Sequence, residues 1–146
     1  MKNHANTLLI GYGNSLREDD GFGIKVASLL SGLDDVDLMQ NFQLTPEMCE
    51  LFPKYNNIIF IDANIEAVAG VFAVPLPNIS DPFNHTVLPW QLIKYAEDLY
   101  GFDGKFYIFS VGGFSFGYKE ELSDLISLRA LELSSYLRDF IKSFCH

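Results

Sequence analysis

Apolar residues along the chain fall into two patterns: short unbroken runs, and positions spaced three or four apart. That is the signature of strands alternating with helices. Thr7-Leu8-Leu9-Ile10-Gly11 is an apolar run stopped by glycine, which suits a strand covered on both faces of a parallel sheet. Ile24, Ala27 and Leu30 predict a helix over 21–30. A second strand is expected over 36–43. It leads to a helix that Thr45 would cap, Pro46 and Glu47 would open, and Pro53 would end just after Phe52. Asn57-Ile58-Ile59-Phe60-Ile61 is the most strongly β-like run, and 71–76 predict a further strand. The short connection between those two favours an antiparallel neighbour.

From Leu88 onward, Leu92, Tyr95, Ala96 and Leu99 mark an amphipathic helix closed by Gly101. A strand is expected over 105–111, followed by the loop Gly112-Gly113-Phe114-Ser115-Phe116-Gly117. Leu122, Leu125, Ile126, Leu133, Tyr136, Leu137, Phe140 and Ile141 then carry a long closing helix. The alternation implies a single α/β domain over 1–146. Its expected form is three layers: a twisted, mostly parallel sheet of about five strands, one of them antiparallel, with helices on both faces.

Composition narrows the function. The 146 residues are 49% hydrophobic, enough for a core without staples, and 10 basic against 19 acidic side chains leave a net charge of −9. That surplus of carboxylates, with no block of Lys or Arg, argues against nucleic acid and anionic membranes as partners. Cys49 and Cys145 are too few and too distant for a disulfide framework, and no apolar run has the length of a membrane span. A cytoplasmic location is expected.

In an open sheet of this kind, ligands bind at the carboxyl ends of the strands. Polar residues cluster there: Asn14 and Glu18-Asp19-Asp20 after the first strand, Asp62 and Asn64 after the third, His85 after the fourth. Each has an ordinary reading. Acids in a first helical turn are stabilised by the helix dipole, Asp62 either caps a turn or faces the crevice, and a loop histidine is usually solvated. Gly21 and Gly23 would leave open backbone beside the acids, where a ligand can enter. Two carboxylates and an imidazole on crevice loops make an O/N donor set suited to a divalent metal. A dinucleotide reading of Gly11-Tyr12-Gly13-Asn14 is weakened by Leu16 in place of the third glycine and by the three acids where phosphates would sit. No G-x-S-x-G elbow or glycine-flanked cysteine supplies a nucleophile.

Gly11-Tyr12-Gly13-Asn14-Ser15-Leu16-Arg17-Glu18-Asp19-Asp20-Gly21-Phe22-Gly23 resembles the opening G-x-G-N-x-L-x-x-D-[DE]-G-x-G of the hydrogenase maturation proteases. These endopeptidases trim the C-terminus of nickel-iron hydrogenase large subunits. Gln43-Leu44-Thr45-Pro46-Glu47, Ile59-Phe60-Ile61-Asp62-Ala63, His85 with Pro89 and Leu92, and Leu99-Tyr100-Gly101 extend the likeness over nearly the whole chain. The resemblance implies a five-stranded α/β fold and nickel contacts, which are also the catalytic residues, at Asp20, Asp62 and His85. Trp90 stands where some members carry the histidine, so His85 matches the branch with histidine four residues before the proline. Gly70 lacks the family's preceding proline.

The resemblance further implies that the partner is a hydrogenase large-subunit precursor and that the nickel is carried by it, none being held tightly at rest. A vacant carboxylate site would complete the coordination of an ion already held by substrate cysteines. That ion would polarise the scissile carbonyl or activate water. The alternatives are a nickel-checking chaperone that grips the precursor without cutting it, and a small-ligand or nucleotide-binding α/β module. The loop 112–117 is expected to line the substrate groove.

Overall fold

The computed structural model describes residues 5–13, 21–69, 72–73, 88–112 and 122–145. Strand β1 (Thr7–Tyr12) leads to helix α1 (Phe22–Leu29) and β2 (Val36–Asn41); a 3-10 segment (Pro46–Lys54) then leads to β3 (Asn57–Ala69). The two-residue β4 (Phe72–Ala73), α2 (Pro89–Tyr100), β5 (Lys105–Gly112) and α3 (Asp124–Lys142) complete the main elements, with a final 3-10 turn at Ser143–Cys145. The sheet order is β2-β1-β3-β5-β4. β2, β1, β3 and β5 are mutually parallel, and β4 lies antiparallel to β5 through Phe72 opposite Val111 and Ala73 opposite Ser110. Residues 71 and 74–76 of the expected 71–76 strand lie outside the described residues.

Period-two alternation divides the strand side chains between two cores. Leu9, Ile59, Ile61 and Val111 join Phe22, Val26 and Ala27 of α1 and Ile126, Ala130, Leu133, Leu137 and Ile141 of α3 on one face. Leu8, Ile10, Ile58, Phe60 and Ile108 meet Met48, Cys49 and Phe52 of the 3-10 segment and Leu92, Ile93 and Ala96 of α2 on the other. Both faces of the sheet are covered at its centre, which is why β1 and the opening of β3 read as unbroken apolar runs. Phe52 anchors the second layer, edge-on to Phe60 at 6.0 Å and to Phe102 at 6.2 Å. Across the first, Arg138 of α3 donates to the Leu29 carbonyl at 2.7 Å, satisfying an acceptor at the end of α1.

Some elements depart from the pattern reading. The segment from Pro46 is a 3-10 rather than an α-helix, Thr45 makes no side-chain cap, and Pro53 lies inside it. β2 ends at Asn41. β3 does not stop at Ile61 but continues to Ala69, so Asp62 is a strand residue. Tyr95, Leu99 and Tyr136, read as core positions, are exposed. Among the described residues no helix is long and apolar enough to cross a membrane.

Candidate functional site

β1 is the central switch of the sheet. The chain leaves it through α1 to reach β2 on one side, then crosses back to place β3 on the other. The crevice between the carboxyl ends of β1 and β3 is therefore the topological switch point, where α/β sheets bind ligands. β1 pairs with β3 from Thr7 opposite Asn57 to Gly11 opposite Ile61. Asp62 is the next residue of β3, half-buried, immediately past the last β1 pair.

The glycines of the first motif explain how that crevice is closed from above. A Cβ on Gly11 would lie 2.1 Å from the Gly23 carbonyl oxygen, and one on Gly23 would lie 2.2 Å from the Ile61 carbonyl oxygen and 2.8 Å from that of Tyr12. Only hydrogen fits at either position, so the first turn of α1 sits directly on the backbone where β1 and β3 part. This corrects the expectation of open backbone at Gly23, which is buried and filled by the sheet. It also removes Gly11 from any phosphate-cradling role, since its free face is occupied by Gly23.

The register brings further polar residues to Asp62. Tyr12 stands opposite Asn41, and Asp62 opposite Ser110. Because Ile10, Phe60 and Ile108 all point into the core beneath α2, alternation carries Tyr12, Asp62 and Ser110 to that same face, one rung further along. That rung is polar on all three of these parallel strands, next to the apolar layer of Ile10, Phe60 and Ile108. Pattern reading missed Tyr12, Asn41 and Ser110 because each looks like an isolated polar residue. Counting two residues on from the buried Ile10 and Ile108 and the half-buried Met39 would have found them.

Of the three residues expected to contact nickel, Asp62 is placed at the switch point, while Asp20 and His85 lie outside the described residues. So do Asn14, Glu18, Asp19 and the loop from Gly113 to Gly117; Asn64 is described in its backbone alone. Among the described residues no group of three His, Cys, Asp or Glu side chains converges. Cys49 is 4% exposed, packed in the core beneath α2. Burial, reinforced by Glu50 and Glu47, pushes its thiol above the ordinary value and so away from the reactive thiolate.

No family model and no curated protein matches the chain. Solved structures do. A [NiFe] hydrogenase maturation protease, HycI from Thermococcus kodakarensis KOD1, is 26% identical over 96% of this chain and 94% of its own, with a TM-score of 0.72. The hydrogenase maturating endopeptidase HybD from E. coli shares the fold at a TM-score of 0.75 with 16% identity, covering 94% of this chain and 93% of its own. The hydrogenase 2 maturation peptidase from Thaumarchaeota archaeon SCGC_AB-539-E09 does so at 0.66 with 23% identity, over 93% and 97%.

Proposed function

We propose that this chain, which belongs to the hydrogenase maturation protease family, is an endopeptidase that removes the C-terminal extension of a nickel-iron hydrogenase large-subunit precursor once nickel is in place. The observation that carries the reading is the position of Asp62: a half-buried carboxylate at the switch point of the sheet, one residue beyond the last β1 pair. Asp20 completes the proposal through the chain itself. It precedes Gly21 and is tethered within three residues, at most about 11 Å of chain, to Gly23, whose backbone rests on the Ile61 carbonyl. His85 is the third proposed contact.

On this reading nickel belongs to the substrate. Precursor cysteines hold it, and Asp20, Asp62 and His85 occupy its remaining positions, which makes the metal a test of whether the precursor is ready. Carboxylate and imidazole donors suit a divalent ion of that kind. The sequence has no G-x-S-x-G elbow and no glycine-flanked cysteine, and on this reading water is the attacking group. Water adds to the scissile carbonyl, the C–N bond breaks, and the departing amine takes a proton. The protein's part is to bring the nickel-bearing segment and the scissile bond to one crevice in a fixed orientation. With a net charge of −9, the surface also favours a nickel-bearing face over an anionic one.

Replacing either carboxylate tests this. Asp20→Ala and Asp62→Ala should fold with melting temperatures near the parent and leave a nickel-loaded precursor at full length. Processing by both variants at the parent rate would refute the assignment.

A further inference from the structure

Asp62 has a neighbour whose role the family reading does not supply. β3 and β5 run parallel in a register that sets Asp62 opposite Ser110. Their faces are fixed by the residues around them: Ile58, Phe60 and Ile108 are buried beneath α2, whereas Ile59, Ile61 and Val111 are buried against α1 and α3. Asp62 and Ser110 therefore project from the same face, side by side, on strands about 4.8 Å apart. Ser110 is only 1% exposed. A hydroxyl at that depth requires a hydrogen-bond acceptor, because burying it without one costs on the order of 1–3 kcal/mol. The carboxylate directly across the ladder is within reach of a single O–H···O bond, and a bond to an ionised acceptor is among the stronger ones available.

We infer that Ser110 is a positioning residue: its hydroxyl donates to one oxygen of the Asp62 carboxylate and fixes the rotamer that presents the other oxygen to the substrate's nickel. The inference rests on the reading of Asp62 as a nickel contact. A carboxylate on a strand turns freely about two bonds, and restraint by a buried donor removes the ordering that nickel recognition would otherwise require. Partners of this kind are worth about tenfold or more in metal affinity.

The experiment measures binding of a hydrogenase large-subunit precursor, nickel-loaded and nickel-free, to the full chain and to Ser110→Ala, Ser110→Thr and Asp62→Ala. The readout is the ratio of the two affinities, which a general loss of structure does not change selectively. Ser110→Ala should reduce the preference for loaded precursor about tenfold while leaving affinity for the nickel-free form unaltered. Ser110→Thr, which keeps the hydroxyl on a β-favouring side chain, should restore most of it, and Asp62→Ala should abolish it. Full preference in Ser110→Ala alongside its loss in Asp62→Ala would overturn the role of Ser110 alone. An equal loss of affinity for both forms of precursor would overturn it too, as the mark of a merely structural serine. Full preference in Asp62→Ala would instead refute the reading on which the inference rests. Should Ser110→Ala fail to fold, Ser110→Cys, close in volume and a weak donor, takes its place with the same expected loss.

Discussion

Two glycines of similar appearance in the sequence do different physical work. Gly23 has no room: an added Cβ would stand 2.2 Å from the Ile61 carbonyl oxygen, and both atoms are held by backbone. Gly23→Ala should therefore force α1 off the sheet and cost about 3 kcal/mol or more, read as a lowered midpoint in urea. Gly101 has open space around it but a φ of +70°. Gly101→Ala should cost only about 1 kcal/mol, lowering the melting temperature by about 3 °C. A sequence shows both as glycines near a helix end; only the packing of α1 on β1 and β3 separates them. Asp62 illustrates the same limit. Its place after an apolar run was legible, but the continuation of β3 past it was not. A carboxylate looks like a strand's end, whereas here the neighbouring strand ends and β3 goes on.

Away from the crevice, Tyr55 makes a titration test of the packing. Its hydroxyl donates to Asp37 Oδ2 at 2.7 Å, and burial together with the Asp37 carboxylate pushes the phenol up from 10.0 to about 12. The unfolded chain loses this proton near pH 10 while the folded chain holds it. The stabilising contribution is thus complete below pH 10 and is lost as pH rises from 10 towards 12. Melting temperatures measured across that range should fall less steeply for Tyr55→Phe than for the parent. Equal slopes would show that Tyr55 is not the group responsible.

At the scale of elements, the features best read from sequence are those whose cause is local. α2 starts at Pro89 and ends before Gly101 as expected, with the Gln91 side chain accepting from the Leu88 N–H at 2.8 Å. The burial of β1 was likewise legible, because two-sided cover leaves an unbroken apolar run. The 3-10 segment from Pro46 was misread, since Met48, Cys49 and Phe52 bury well in either geometry and the sequence does not choose between them. Helix faces were overread in one direction. Leu99 and Tyr95 keep helical spacing but turn outward with Pro46, Glu47 and Glu50 around a shallow groove, so α2 buries a narrower stripe than its apolar content suggests. Substituting Leu99, 69% exposed, by Gln should change stability by less than about 0.5 kcal/mol, checked by urea unfolding.

Across the whole molecule, one arrangement joins fold to function. β1 forks the chain to both sides, glycines let α1 descend onto the fork, and the apolar layers beneath α2 give way at the next rung to Tyr12, Asp62 and Ser110. That architecture places a polar rung at the switch point of the sheet. The layered α/β form was implied by the alternation of strands and helices. The rung was not, because it exists only once three strands are set in register.

The most direct measurement is the mass of a large-subunit precursor after incubation with the purified protein, with and without nickel inserted beforehand. A shortened chain is expected from the nickel-loaded form and an unchanged mass from the nickel-free form. Intact mass in both, or equal shortening of both, would contradict the proposed function.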